Sequence, residues 1–244
     1  MAKKTTRIDG RTPNELREIT ITRNFTRYAP GSVMIAAGGT QVLCTAMAEQ
    51  SIPPFLEGTG TGWVTAEYDM LPSSTHSRRR RDIQRGSRDG RSQEIQRFIG
   101  RALRTVVRRE LLGERTIYID CDVIQADGGT RTLAVTGAYL AFHDAVEKLR
   151  AAGQITGQPI ISEVAAVSVG IVRGTPMLDL CYEEDSKAEV DMNVVMTGAG
   201  GIIEIQGTAE REPFSRAQFD QLFKLASSGI EKLVKIQRQA IREK

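Results

Sequence analysis

The pentapeptide Asp127-Gly128-Gly129-Thr130-Arg131 is the stretch whose chemistry reads most directly. It joins an apolar run that reads as a strand, residues 116–126, to one that reads as a helix, residues 132–152. Such a junction leaves backbone N–H groups unpaired at the helix N-terminus, where the helix dipole also favours negative charge. Glycine lets an oxyanion come close to the backbone. Thr130 adds a hydroxyl donor, and Arg131 adds a guanidinium fork able to grip phosphate with two hydrogen bonds. Taken alone, the same composition also serves an ordinary strand-to-helix turn. It is not a GxxxxGK[ST] nucleotide loop, which the chain lacks. Gly58-Thr59-Gly60-Thr61-Gly62 precedes a strand rather than a helix and reads as a flexible loop.

Carboxylates gather at residues 183–191. Along a strand, Glu189, Asp191 and Asn193 share one face, while Val190, Met192 and Val194 share the other. Neighbours on one face lie ~7 Å apart, so Glu189 and Asp191 can approach one cation. Asp185 joins them only if the chain turns between, and Asp185-Ser186-Lys187 has turn composition. Hard oxygen ligands of this kind suit Mg²⁺ or Mn²⁺. An exposed acidic turn is the plainer alternative.

Residues 73–110 hold twelve arginines and four acids, a local charge of +8 that leaves −5 for the rest of the chain. The block includes the run Arg78, Arg79, Arg80 and Arg81, in a segment without apolar periodicity. A basic block on a mildly acidic body is the pattern of a polyanion site, its arginines able to neutralise several phosphates, although a solvated helix face would give the same charges over 97–109. No aromatic residue lies between Tyr68 and Phe98, so backbone or shape recognition is expected rather than base stacking. His76 and His143 form no readable catalytic pair. A reaction whose nucleophile is inorganic phosphate needs none, because the nucleophile is already an anion.

These groups need elements to hold them. Residues 32–37 and 40–47, around Gly38-Gly39, read as a hairpin; residues 18–25 and 62–70 read as strands, and 52–62 and 72–90 as loops. From Arg91 the apolar positions Ile95, Phe98, Ile99, Ala102, Leu103, Val106 and Val107 take helical spacing, with Gly113 as the stop. Strands follow near 161–173, 176–182, 189–196 and 201–208. A last helix starts at Ser215, with Gln218 completing a capping box. The buried stripe of that helix is Phe219, Leu222, Phe223, Ala226, Ile230, Leu233 and Val234. Residues 1–14 read as a basic, flexible arm. Two hairpin-plus-helix halves, about 15–150 and 160–244, predict an α/β (α+β) single domain of duplicated βαβ type, with mixed sheets and helices packed on them.

Composition narrows the setting. The chain has 244 residues, 40% hydrophobic and 26% charged, as expected of a globular protein. The longest nearly apolar run, 164–172, is far short of the ~20 residues that span a bilayer, and residues 1–6 carry no apolar leader segment. Cys44, Cys121 and Cys181 are odd in number and scattered, so neither a disulfide framework nor a zinc site is expected, and a reducing cytoplasm is the simplest setting.

Five stretches in order resemble the bacterial ribonuclease PH family, the tRNA nucleotidyltransferases, over nearly the whole chain. They are Asp9-Gly10-Arg11 with Glu15-Leu16-Arg17; Gly62-Trp63-Val64-Thr65-Ala66-Glu67-Tyr68 with Met70-Leu71-Pro72; and Glu94-Ile95-Gln96-Arg97 with Ile99-Gly100-Arg101. Next come Ile119-Asp120-Cys121-Asp122-Val123 running into Gln125-Ala126-Asp127-Gly128-Gly129-Thr130-Arg131, and Tyr182-Glu183-Glu184-Asp185-Ser186 with Asp191-Met192-Asn193. The resemblance implies phosphorolysis of RNA 3′ ends, including tRNA precursors with 3′ extensions and rRNA, with inorganic phosphate as co-substrate and nucleoside diphosphates released. The reverse reaction adds nucleotides. It implies that Arg91, Gly129, Thr130 and Arg131 bind phosphate, that Asp185 and Asp191 are the catalytic, metal-holding carboxylates, and that copies assemble as a hexameric trimer of dimers. Cys181 stands where the family has an acidic residue, and the four-arginine run is unusual for it. The alternative is a catalytically silent RNA-binding ring subunit.

Overall fold

Alternation of apolar residues builds the first sheet. Val33, Ile35 and Ala37; Val42, Cys44 and Ala46; Val64, Ala66 and Tyr68; and Ile117, Ile119, Cys121 and Val123 all turn to one buried face. The computed structural model describes residues 7–87 and 89–243. Residues 1–6 of the expected arm, Arg88 and the side chain of Arg85 lie outside that description. The strands are β1 (Ile19–Arg23), β2 (Gly31–Ala37), β3 (Thr40–Glu49), β4 (Trp63–Met70) and β5 (Thr116–Gln125), in the order β1-β2-β3-β5-β4. Every pair is antiparallel except β4–β5. A parallel pair needs a crossover, and its helical part here is a single turn, α1 (Asp82–Arg85), followed by α2 (Gly90–Thr105).

The second half repeats the plan. Helix α3 (Thr130–Ala151) leads to β6 (Val164–Val172), β7 (Thr175–Leu178), the single turn α4 (Tyr182–Asp185), β8 (Val190–Thr197), β9 (Ile202–Ala209) and α5 (Arg216–Arg242). The sheet order is β7-β6-β8-β9, antiparallel throughout. Ser215 caps α5 and Gln218 reaches back, the capping box read from the sequence.

Helix α3 is the shared middle layer. It packs on β2, β3 and β5 on one side and on β6 and β8 on the other. It is accordingly apolar nearly all round, as a helix buried between two layers must be. Strand β6 is buried at all nine positions. Its Val164 and Ala166 join the core around α3, while Ala165, Val167, Val169 and Ile171 join the core under α5. The same split runs along β8, where Val195 faces the first core and Val190, Met192, Val194 and Met196 the second. Asp191 and Asn193 therefore sit on the face of β8 that looks toward the start of α3.

Four expectations change. Residues 7–17 are not a free arm: Arg7 is 4% exposed and its guanidinium bonds Glu184 and the carbonyls of Leu178 and Asp179. Helix α2 stops at Thr105 rather than at Gly113. Val106 and Val107 keep the buried spacing, but Val107 bridges Ile160 as a strand would, and the Arg108 N–H goes to Pro159. The acidic turn at 183–185 is helical. Cys181 precedes α4 instead of lying in a strand, though all three cysteines are buried and free. No helix among the described residues is long and apolar enough to cross a membrane.

Candidate functional site

The site is built where the turn before α3 meets the turn before α4. Gly128 and Gly129 both take left-handed backbone angles, φ +75° and +66°, which glycine adopts without strain. Gly128 also lies flat against another chain segment: a Cβ there would meet the Leu180 carbonyl at 2.6 Å and the Tyr182 nitrogen at 2.8 Å. The Tyr182 N–H donates to the Asp127 carboxylate at 3.1 Å. Asp127 thus holds the first turn of α4 rather than facing the anion seat. These contacts fix the distance between the glycine turn and Asp185, the last residue of α4.

The glycine turn is clamped from behind. Arg17 donates to the Asp127 carbonyl at 2.6 Å and to both oxygens of Asp179. Burial lowers the Arg17 guanidinium, but Asp179 more than offsets this and holds it raised. Thr40 Oγ1 donates to the Gly128 carbonyl at 2.7 Å. In front, Gly129 offers no side-chain cap, so the leading N–H groups of α3 are left for an anion. Thr130 is buried, and its hydroxyl accepts from Tyr68 Oη at 2.8 Å, which leaves its own proton to donate.

Opposite stands the carboxylate pair. Burial, then the charge of Asp185, pushes Asp191 up to about 6. Burial also raises Asp185, against the opposing pull of Arg91 and Arg131. Asp191 Oδ1 is buried and has no hydrogen-bond partner. Two facing carboxylates with an unpaired oxygen fit a hard divalent cation that keeps water and phosphate oxygens as its other ligands. Glu189 does not join them: it accepts the Gly174 N–H in the β6–β7 turn at 3.2 Å. The alternation that places Asp191 and Asn193 belongs to β8, which begins one residue after Glu189. The third carboxylate bearing on the pair is Glu210, opposite Glu189 across the sheet end. Among the described residues no group of three or more His, Cys, Asp or Glu is placed to cage a metal.

Two arginines act on the carboxylate pair. Arg91 is exposed in the first turn of α2, whose N-cap is Asp89. Arg131 is half-buried, with Nη1 held by Gln206 at 2.7 Å and by Glu94 at 3.2 Å. A sequence model of the 3′ exoribonuclease family, domain 1, matches residues 15–146, and that of domain 2 matches residues 162–229. The chain belongs to the 3′ exoribonuclease family. The junction of its two domains is where the glycine turn meets α4.

Solved structures show the same fold. The crystal structure of rice (Oryza sativa) Rrp46 superposes with a TM-score of 0.77 at 19% identity, over 96% of this chain and 99% of that one. The Archaeoglobus fulgidus exosome with RNA bound to the active site gives 0.80 at 20%, over 94% and 91%. An archaeal exosome core gives 0.77 at 20%, over 95% and 91%.

The arginine run divides. Arg78, Arg80 and Arg81 are exposed, whereas Arg79 is drawn into an ion pair with Asp89 at 2.7 Å. The segment is tied to the glycine turn, because the Ala126 N–H donates to the Ser74 carbonyl. His76 and Tyr182 come together there, ring centroids 5.9 Å apart, with Tyr182 51% exposed beside the site. Neither stood out in sequence, since a lone aromatic carries no spacing signal. Tyr68 and Arg17 lay in the resembling stretches without a role, and Glu210 was silent, because each acts on groups that sequence spacing does not place beside it.

Proposed function

We propose that this chain is a phosphate-dependent 3′→5′ exoribonuclease of the bacterial ribonuclease PH type. The observation that carries the reading is the packing of Gly128 against residues 180–182, which sets an uncapped helix N-terminus beside two half-buried carboxylates and two arginines. Inorganic phosphate sits at the N–H groups after Gly129, with Thr130, Arg131 and Arg91 compensating its charge. It attacks the last phosphodiester of an RNA 3′ end. The new P–O bond makes a nucleoside diphosphate. The bond to the penultimate 3′ oxygen breaks, and that oxygen leaves as a hydroxyl with the proton of hydrogenphosphate. Asp185 and Asp191 would hold Mg²⁺ or Mn²⁺, which supplies charge neutralisation at the phosphoryl oxygens when bound. Arg78, Arg80 and Arg81 draw the RNA in. The substrates on this reading are tRNA precursors with 3′ extensions and rRNA, and copies assemble in a hexameric ring.

The test is to incubate the protein with Mg²⁺, phosphate and a 3′-extended tRNA. Nucleoside diphosphates should be released only when phosphate is present, and Asp185→Asn should stop release while RNA still binds. Monophosphates, or equal release without phosphate, would refute phosphorolysis. RNA binding with no release at all would instead make the chain a silent ring subunit.

A further inference from the structure

Away from this site, between α2 and β9, a cavity of about 550 Å³ opens around Trp63. Its walls include Arg101, Arg104, Arg109, Ile203 and Glu204. Arg104 lies 4.6 Å over the indole and Arg109 lies 5.2 Å from it. Glu204 pairs with Arg101 at 2.6 Å, so it is already engaged. Among the described residues Arg104 donates to the Val64 carbonyl alone, and Arg109 has no carboxylate within ion-pair distance. Burial, then the like charges of Arg109 and Arg101, pulls the Arg104 guanidinium down. Gly100 makes room for this arrangement: a Cβ there would meet Arg104 Nη1 at 2.7 Å. The protein therefore holds two guanidinium groups together on an aromatic face, with no anion paired to either among the described residues.

One helix, α2, carries Arg91 at one end and lines the pocket at the other. Arg97, Arg101 and Arg104 recur at spacings of four and three, one stripe of α2, and Arg91 begins the same helix. From Arg91 to Arg104 the helix rises about 20 Å. A stacked single strand covers that in about six nucleotides, at ~3.4 Å each. Guanidinium planes beside an indole and an isoleucine suit a nucleotide, taking its phosphate by charge and its base by stacking.

We propose that the Trp63 pocket is an upstream RNA site, which holds the phosphodiester backbone several nucleotides before the 3′ end. The site rests on the reading of the chain as an RNA-degrading enzyme. It makes the enzyme grip long RNA better than short RNA and release an RNA trimmed too short to reach it.

The test uses full-length Arg109→Gln and, because removing the indole threatens folding, Trp63→Phe. Phosphorolysis is followed on an RNA of roughly three nucleotides, too short to span the helix, and on one of roughly fifteen. The KM for the long RNA should rise several-fold in Arg109→Gln with kcat unchanged, while the short RNA behaves as in the wild type. The salt dependence of long-RNA binding should flatten by about 0.7 in log-log slope for each lost phosphate contact. Equal KM changes for both lengths, or none, would overturn the site. So would a change of subunit assembly in either variant, which would make the pocket a seam between copies. If the wild type releases no diphosphates, the proposed function fails, and the pocket is then judged on binding of the long RNA alone.

Discussion

Asp191 is held against its own solvation. Its carboxyl is largely buried, faces Asp185, and keeps one oxygen without a donor. Above about pH 6 the Asp191 carboxyl carries a charge that Arg131 and Arg91 do not offset against burial and the charge of Asp185. Such strain is common where a site is shaped for a ligand rather than for stability. Asp191→Asn should therefore raise the stability at pH 7 without Mg²⁺ by on the order of 1–2 kcal/mol, read as a higher melting temperature, while ending nucleoside diphosphate release. Adding Mg²⁺ should stabilise the wild type and leave the variant unmoved. Thermal melts with and without the ion decide it; a variant that melts lower than the wild type in the absence of Mg²⁺ would show that no such strain exists.

At the scale of elements, the glycine turn and α4 act as one piece. Gly128→Ala would drive a methyl into the backbone of residues 180–182 and impose a left-handed angle that alanine resists. The chain should still fold, since the change lies outside both apolar cores. Asp185 should shift away from the phosphate seat, and turnover should fall by about 100-fold, the scale of a displacement near 1 Å. Normal turnover in a folded Gly128→Ala protein would detach the turn from catalysis. Sequence spacing revealed the parts of this piece but not their contact. The helices and strands were legible because Ile95 to Leu103 and Val190 to Val194 carry clean periods of 3.6 and 2. The end of α2 was not, because Val106 and Val107 satisfy both a helical stripe and the strand-like bridge to Ile160. The turn α4 has only four residues, too few for any period. Alternation could not foresee that the Glu189 carboxylate turns to the Gly174 N–H.

Across the whole molecule, residues 7–17 strap the two halves together. Arg7 meets Glu184, Arg11 meets Asp179, and Arg17 meets Asp179 while gripping the glycine turn. No local pattern could announce these pairs, whose partners stand more than 160 residues apart. Composition alone made the segment look like a free basic arm. Burial pushes the Asp179 and Glu184 carboxyls up, but Arg17 and Arg7 respectively overcome it and hold both below their usual range. A depressed folded value means that the stabilisation is complete above the unfolded value, about 4 for these groups, and is lost as pH falls through the folded one. The contribution of these pairs should thus be full and independent of pH near neutrality, and the melting temperature should fall as the solution is taken below about pH 4. Arg17→Met should cost about 3–5 kcal/mol at pH 7, since it strands a buried charge. Adding Asp179→Asn should recover part of that loss, because the charge goes and asparagine accepts the positive φ of that position, +54°. The double variant should also lose less stability in acid than the wild type. Additive losses in the cycle, or an unchanged acid profile, would mean that the strap is held by its backbone contacts and not by its ion pairs.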